Sequence, residues 1–157
     1  MTIVRAFMLA LALFATPTLA QPDAPWGRAK AIEKEYSKQK VVYDVAVDSV
    51  QKLDRVLDRV SYLNLLNGAD PFDNKIVIVL HGDEIPFFAI KNHAKYKTLM
   101  QRAQSLSLDG IIEFRMCRVA ARGHGLQPED IHGFVNIVPM ADAEIIELQR
   151  QGFAYMR

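Results

Sequence analysis

The chain has 157 residues, half of them apolar, with 19 basic against 18 acidic side chains and a formal net charge of +1. It is long enough to bury one core and too evenly composed for intrinsic disorder or a fibre. No basic arm or stripe is left to neutralise phosphates, so nucleic acid is not expected as a partner.

The N-terminus reads as a leader. One basic residue, Arg5, precedes an apolar run from Ala6 to Ala15, Pro17 breaks it, and small residues at Thr18 and Ala20 suit a cleavage site after Ala20. The run is shorter than the roughly 18–20 residues that span a bilayer, so stable membrane insertion is not expected after cleavage. The expected organisation is a signal peptide over 1–20, an N-terminal arm over 21–40 with a helical turn around Ala31–Tyr36, and an α/β domain over 41–157. Loss of Arg5 leaves 18 basic against 18 acidic residues in the mature chain.

From Val41 strands alternate with helices. "VVYDVAV" is a β-branched run and the first strand; Asp48-Ser49 then offers an N-cap, and Leu53, Val56, Leu57, Val60 and Leu63 recur at helical spacing. "NGADPFDN" is a loop. "KIVIVLHG" is apolar on both faces from Ile76 to Leu80, the signature of a central parallel strand with helices on each side. Tyr96, Leu99, Met100, Ala103 and Leu106 mark the next helix, stopped by Asp109-Gly110. In the third strand, "IIEFRMC", Ile112, Phe114 and Met116 face one way, while Glu113, Arg115 and Cys117 face the other. A short helix to Gly123, a turn at Pro128, the strand "FVNIV", a helix over Ala141–Gln151 and a last short strand "FAYM" complete the reading. Short strand–helix–strand links imply a mainly parallel sheet in a three-layer α/β/α domain, with chemistry at the carboxyl ends of the strands. His81 ends the second strand there, and Cys117 ends the third.

Cys117 is the only cysteine, in a chain expected to be exported. A thiol where a strand passes into a helix lies near unpaired amides that favour the thiolate, and Arg118 and Arg122 add positive charge. Position, charge and the lack of a second cysteine suit a sulfur nucleophile better than a disulfide exchanger. The rival reading is a buried structural thiol, since free cysteine packs as a small apolar residue. His81 either assists a substrate beside Cys117 or caps its strand. Cys117, His124 and His132 lack zinc spacing, so no metal is expected, and a thiol that itself carries sulfur requires no cofactor. A cysteine hydrolase needs a histidine within reach of the thiol, which spacing cannot show. "RGHG" lacks the strand–loop–helix setting of a phosphate loop, and "KNHAKYK" at Lys91–Lys97 reads as a solvated helix face.

The segments "VLHGD", "EFRMCRVAARGHGLQPEDI" and "GFVNIVPMADAEIIELQRQGFAYMR" resemble the DsrE/DsrF-like group of small sulfur-relay proteins, over about Val41 to Arg157. The resemblance implies an α/β/α domain with a largely parallel sheet of about five strands, assembled as a homo-oligomer, a trimer or hexamer. It also implies that Cys117 accepts sulfane sulfur as a persulfide and hands it on, as a sulfur carrier or transferase. His81 matches a histidine-glycine pair in the group, with no assigned role. The well-understood relay members act in the cytoplasm with partner subunits, whereas this chain carries a leader. The reading is therefore a periplasmic sulfur carrier, with a non-catalytic binding or assembly module on the same scaffold as the alternative.

Overall fold

The computed structural model describes residues 24–70, 72 and 74–157. The expected leader and its cleavage point after Ala20 lie outside the described residues. The chain divides into two units, Met1–Lys34 and Glu35–Arg157. In the first, the Gly27 N–H donates to the Ala24 carbonyl at 2.8 Å to close one turn. The helical turn expected across Ala31–Tyr36 does not form. A single turn fixes several backbone torsions for one hydrogen bond, so without a packed apolar face it does not persist.

The second unit is one sheet with helices on both faces. Its elements are β1 (Lys40–Val45), α1 (Val50–Leu66), β2 (Lys75–Leu80), α2 (His93–Ser107), β3 (Ile112–Cys117), α3 (Arg118–Gly123), β4 (Val135–Val138), α4 (Ala141–Arg150) and β5 (Ala154–Met156). All strand pairs are parallel, in the order β4-β3-β2-β1-β5. The central position of β2 explains its composition: Ile76 to Leu80 are all fully buried, so no position on either face tolerates a polar side chain.

Strand alternation sorts the core into two layers. Ile76, Ile78 and Leu80 of β2 join Phe114 and Met116 of β3, under Leu53, Leu57 and Val60 of α1 and Leu99, Met100 and Ala103 of α2. The opposite face is thinner. There Val42, Val77, Val79 and Cys117 pack against Ala141, Ile145 and Leu148 of α4. Two short 3-10 turns, Ile85–Phe88 and Ile90–Asn92, lie between β2 and α2, where the sequence reading assigned no such element. They drop Ile85, Phe87 and Phe88 into the larger layer, and burial of that kind contributes roughly 1.5–3 kcal/mol per large side chain.

The loop after β2 is braced by a buried carboxylate. Glu84 is fully buried, and its two oxygens accept the Val47 N–H at 2.7 Å and the Gly82 N–H at 2.9 Å. This ties the end of β1 to the end of β2. Gly82 is required by close approach: a Cβ there would lie 2.6 Å from Ala46 Cα and 2.8 Å from a Glu84 oxygen. Gly82→Ala is therefore expected to cost about 1–3 kcal/mol by overpacking against backbone, read as a lowered urea midpoint.

Burial holds the Glu84 carboxyl above its ordinary value of 4.5, against the pull of its backbone hydrogen bonds. A raised folded value means that the folded state holds the proton more tightly than the unfolded chain does. The contribution is thus full below about pH 4.5 and is lost as pH rises through the folded value. The stability of wild type relative to Glu84→Gln is expected to fall with rising pH across that range, measured by urea unfolding. A flat or rising difference would contradict the assignment.

Candidate functional site

Because every strand is parallel, all five carboxyl ends open on one edge. β2 and β3 are neighbours, with Leu80 opposite Met116. The next step along each strand brings His81 level with Cys117, and alternation puts both side chains on the α4 face. The sequence expectation that these two residues share an edge is met.

Cys117 ends β3 and occupies the N-cap position of α3, with φ −65° and ψ 118°. It is 5% exposed, enclosed by the thin apolar layer under α4. Of the three nearby arginines, Arg115 is consumed: its guanidinium donates to Glu113 at 2.6 Å and 3.1 Å and also to Glu144 of α4. Lys75 reaches Glu113 from β2 as well. Arg118 and Arg122 are exposed on α3, and neither has a carboxylate partner among the described residues. Both lie on the helix that follows the thiol, and a six-residue helix supplies little macrodipole.

His81 has partners that sequence reasoning missed. Its Nε2–H donates to Asp44 Oδ1 at 2.5 Å, and the Tyr155 hydroxyl donates to Asp44 Oδ2 at 2.5 Å. Asp44 lies on β1, Tyr155 on β5 and His81 one residue past β2, so one chain of hydrogen bonds links the ends of three adjacent strands. An ionised carboxylate only accepts, so the contact fixes the His81 ring in the tautomer protonated at Nε2 and leaves Nδ1 as an acceptor when the ring is neutral. Among the described residues no hydrogen bond joins His81 to the Cys117 sulfur. The sequence signal for Asp44 is its position, an acid inside the β-branched run "VVYDVAV". Tyr155 carries no comparable mark in the sequence.

The other histidines do not complete a site around the thiol. His124, at the end of α3, has its Nε2 3.2 Å from the Gly82 carbonyl, steadying the same loop that Glu84 braces. His132 stacks on Phe134 and meets His93 edge-on, with ring centroids 5.4 Å apart, in a cavity of about 400 Å³ beside α2. Phe134 packs against the larger layer, across the sheet from Cys117. Burial, and then the charge of His93, lower the His132 pKa below 6.5. No three metal-binding side chains converge among the described residues.

The fold and edge define a class: a single-cysteine α/β protein with its thiol at the carboxyl end of a parallel strand. The chain belongs to the DsrE/DsrF-like family, whose model matches residues 39–157. Among solved structures it is similar to a protein of unknown function, MTH1491 from Methanobacterium thermoautotrophicum. That likeness has a TM-score of 0.58 and 18% identity, covers 76% of this chain and 99% of that one, and speaks for the fold alone. No curated protein shows significant similarity to the chain.

The Asp44 cluster has a defined pH signature. Burial raises the Asp44 carboxyl, but hydrogen bonds from Tyr155 and His81 outweigh it, and the group lies below its ordinary value of 3.8. A depressed folded value gives stability that is present above about pH 3.8 and lost as pH falls through the folded value. Asp44→Asn is expected to cost about 1 kcal/mol near neutrality, since the pair is only partly screened from water. Acid titration followed by circular dichroism should show that difference shrinking below pH 3.8; a difference that grows there would contradict the network.

Proposed function

We propose that this chain is an exported sulfur carrier in which Cys117 holds sulfane sulfur as a persulfide. The supporting observation is the position of a lone cysteine at the junction of β3 and α3, in a chain of the DsrE/DsrF-like family. In the loading step the Cys117 thiolate attacks the outer, sulfane sulfur of a donor persulfide. A new S–S bond forms on Cys117, the donor's S–S bond breaks, and the donor leaves as a thiolate, so no external oxidant is consumed. Unloading is the same exchange, with an acceptor thiolate attacking the Cys117 persulfide. Arg118 and Arg122 favour the anionic sulfur, and His81, held by Asp44, is the nearest group in register to pass a proton.

The leader reading places the carrier in the periplasm or otherwise outside the cytoplasm, and the family resemblance favours a homo-oligomer, a trimer or hexamer. No helix of the described residues is long and apolar enough to cross a membrane. The carrier role also accounts for the lone cysteine: a carrier thiol tied into an intramolecular disulfide has no free sulfur to load.

A second reading rests on the burial of Cys117. A thiol 5% exposed among valines, alanine, isoleucine and leucine fits a packing role in a non-catalytic binding or assembly module. Intact-mass spectrometry after treatment with a sulfane-sulfur donor separates the two. The carrier gains the mass of one sulfur on wild type and none on Cys117→Ser. Equal mass gains for the two proteins after treatment would refute the carrier and leave the packing role.

A further inference from the structure

The carboxyl edge holds a second feature, independent of the thiol. From β1 the chain steps outward through β2 and β3 to β4, then reverses and lays β5 on the other side of β1. In parallel α/β sheets the gap at such a reversal, outside the carboxyl ends, is where ligands gather. A cavity of about 180 Å³ lies there in this chain, walled by the end of β1, by Val56 and Arg59 of α1, by His81 and by Arg157 after β5. It is smaller than the roughly 300–1,000 Å³ of sites for drug-sized ligands, so it suits a compact ion rather than a nucleotide.

The charges of the wall point to an anion. Arg102 is paired with Asp54 and Asp58, and Arg115 with Glu113 and Glu144. Neither Arg59 nor Arg157 forms a salt bridge of that kind among the described residues, although the charge of Arg157 acts on Asp44. The Arg59 guanidinium lies 5.3 Å from the centre of the Tyr43 ring and donates to the Arg157 main-chain oxygen at a long 3.4 Å, which leaves most of its donors unused. The one side-chain carboxylate in the wall, Asp44, is already engaged on both oxygens by His81 and Tyr155. A guanidinium with free donors beside a small enclosed space matches the geometry of oxyanion recognition.

We propose that this crevice binds a compact oxyanion, a small carboxylate or a sulfur oxyanion, through Arg59 and Arg157. The ligand sits over β1, with His81, one residue past the end of β2, between it and Cys117 on β3. Binding does not depend on Cys117, so the crevice stands or falls separately from the carrier reading.

Calorimetric titration of the full chain with sodium thiosulfate and, separately, sodium acetate at low ionic strength tests this. Saturable binding of one anion per chain is expected, and which of the two binds tells sulfur oxyanion from carboxylate. Arg59→Met, which keeps the stem over Tyr43, is expected to weaken binding by about tenfold or more, the loss of a charge-assisted contact. Arg55→Met makes the same change of charge one turn earlier on α1, outside the wall, and is expected to stay within about twofold. Should Arg59→Met fail to fold, Arg157→Gln, beyond the last strand, is expected to give the same weakening. The proposal is overturned if neither anion saturates, or if the wall variants and Arg55→Met weaken binding equally, which would be diffuse charge attraction.

Discussion

Strand β2 is shut off from water on both faces, and the rest of the molecule is arranged by that burial. Five successive apolar side chains need a cover above and below, so β1 and β3 flank the strand while α1 and α2 close one face and α4 the other. A slip of one residue would turn each layer to the wrong face, which pins the register. That register places His81 beside Cys117 and above Asp44, so the candidate chemistry follows from the packing of residues several positions below it. The Glu84 brace then holds the loop after β2 against the end of β1, where the edge is made.

The two faces of the sheet differ in what they permit. The layer under α1 and α2 is deep and almost wholly apolar, the composition of a stabilising core. The layer under α4 is shallow and gives way toward its margins to charge: Lys75, Glu113, Arg115 and Glu144 form one linked set there, while Asp44, His81 and Tyr155 form another. Cys117 lies on this face. Its surroundings are apolar while charged and polar groups stand on neighbouring strands, a setting in which a small local opening of α3 changes the exposure of the sulfur without unfolding the sheet. The crevice beyond the end of β1 takes its wall from both faces, Val56 and Arg59 of α1 on one and Asp44 and His81 on the other, so the two candidate sites meet at the carboxyl edge beside His81.

Most of the fold was legible because its signals are local. The β-branched runs, the helical spacing of Leu53, Leu57 and Val60, and the stop at Asp109-Gly110 each state an element within a few residues. The alternation in "IIEFRMC" correctly announced a two-sided strand, with Glu113, Arg115 and Cys117 on the less apolar face. The turns at Ile85–Phe88 and Ile90–Asn92 were missed, because 3-10 segments this short lack a periodic pattern of their own. The expected turn at Ala31–Tyr36 failed for the opposite reason: it had local helix formers but no surface to pack on. The site was only half legible. Cys117 and His81 mark strand ends and can be found by position. Asp44 and Tyr155 join His81 through pairings 37 and 111 residues apart along the chain, and nothing short of the sheet order shows them.

Cys117 is proposed as a working thiol placed in a thin layer, as against a core residue that happens to carry sulfur. Its most direct test is the rate of alkylation of Cys117 by iodoacetamide in the native protein, set against the rate of global unfolding measured under the same conditions. If the account is right, alkylation in the native protein outpaces global unfolding, because the sulfur is reached through local opening at the edge of the sheet. Alkylation no faster than global unfolding would contradict it and make Cys117 a packing residue.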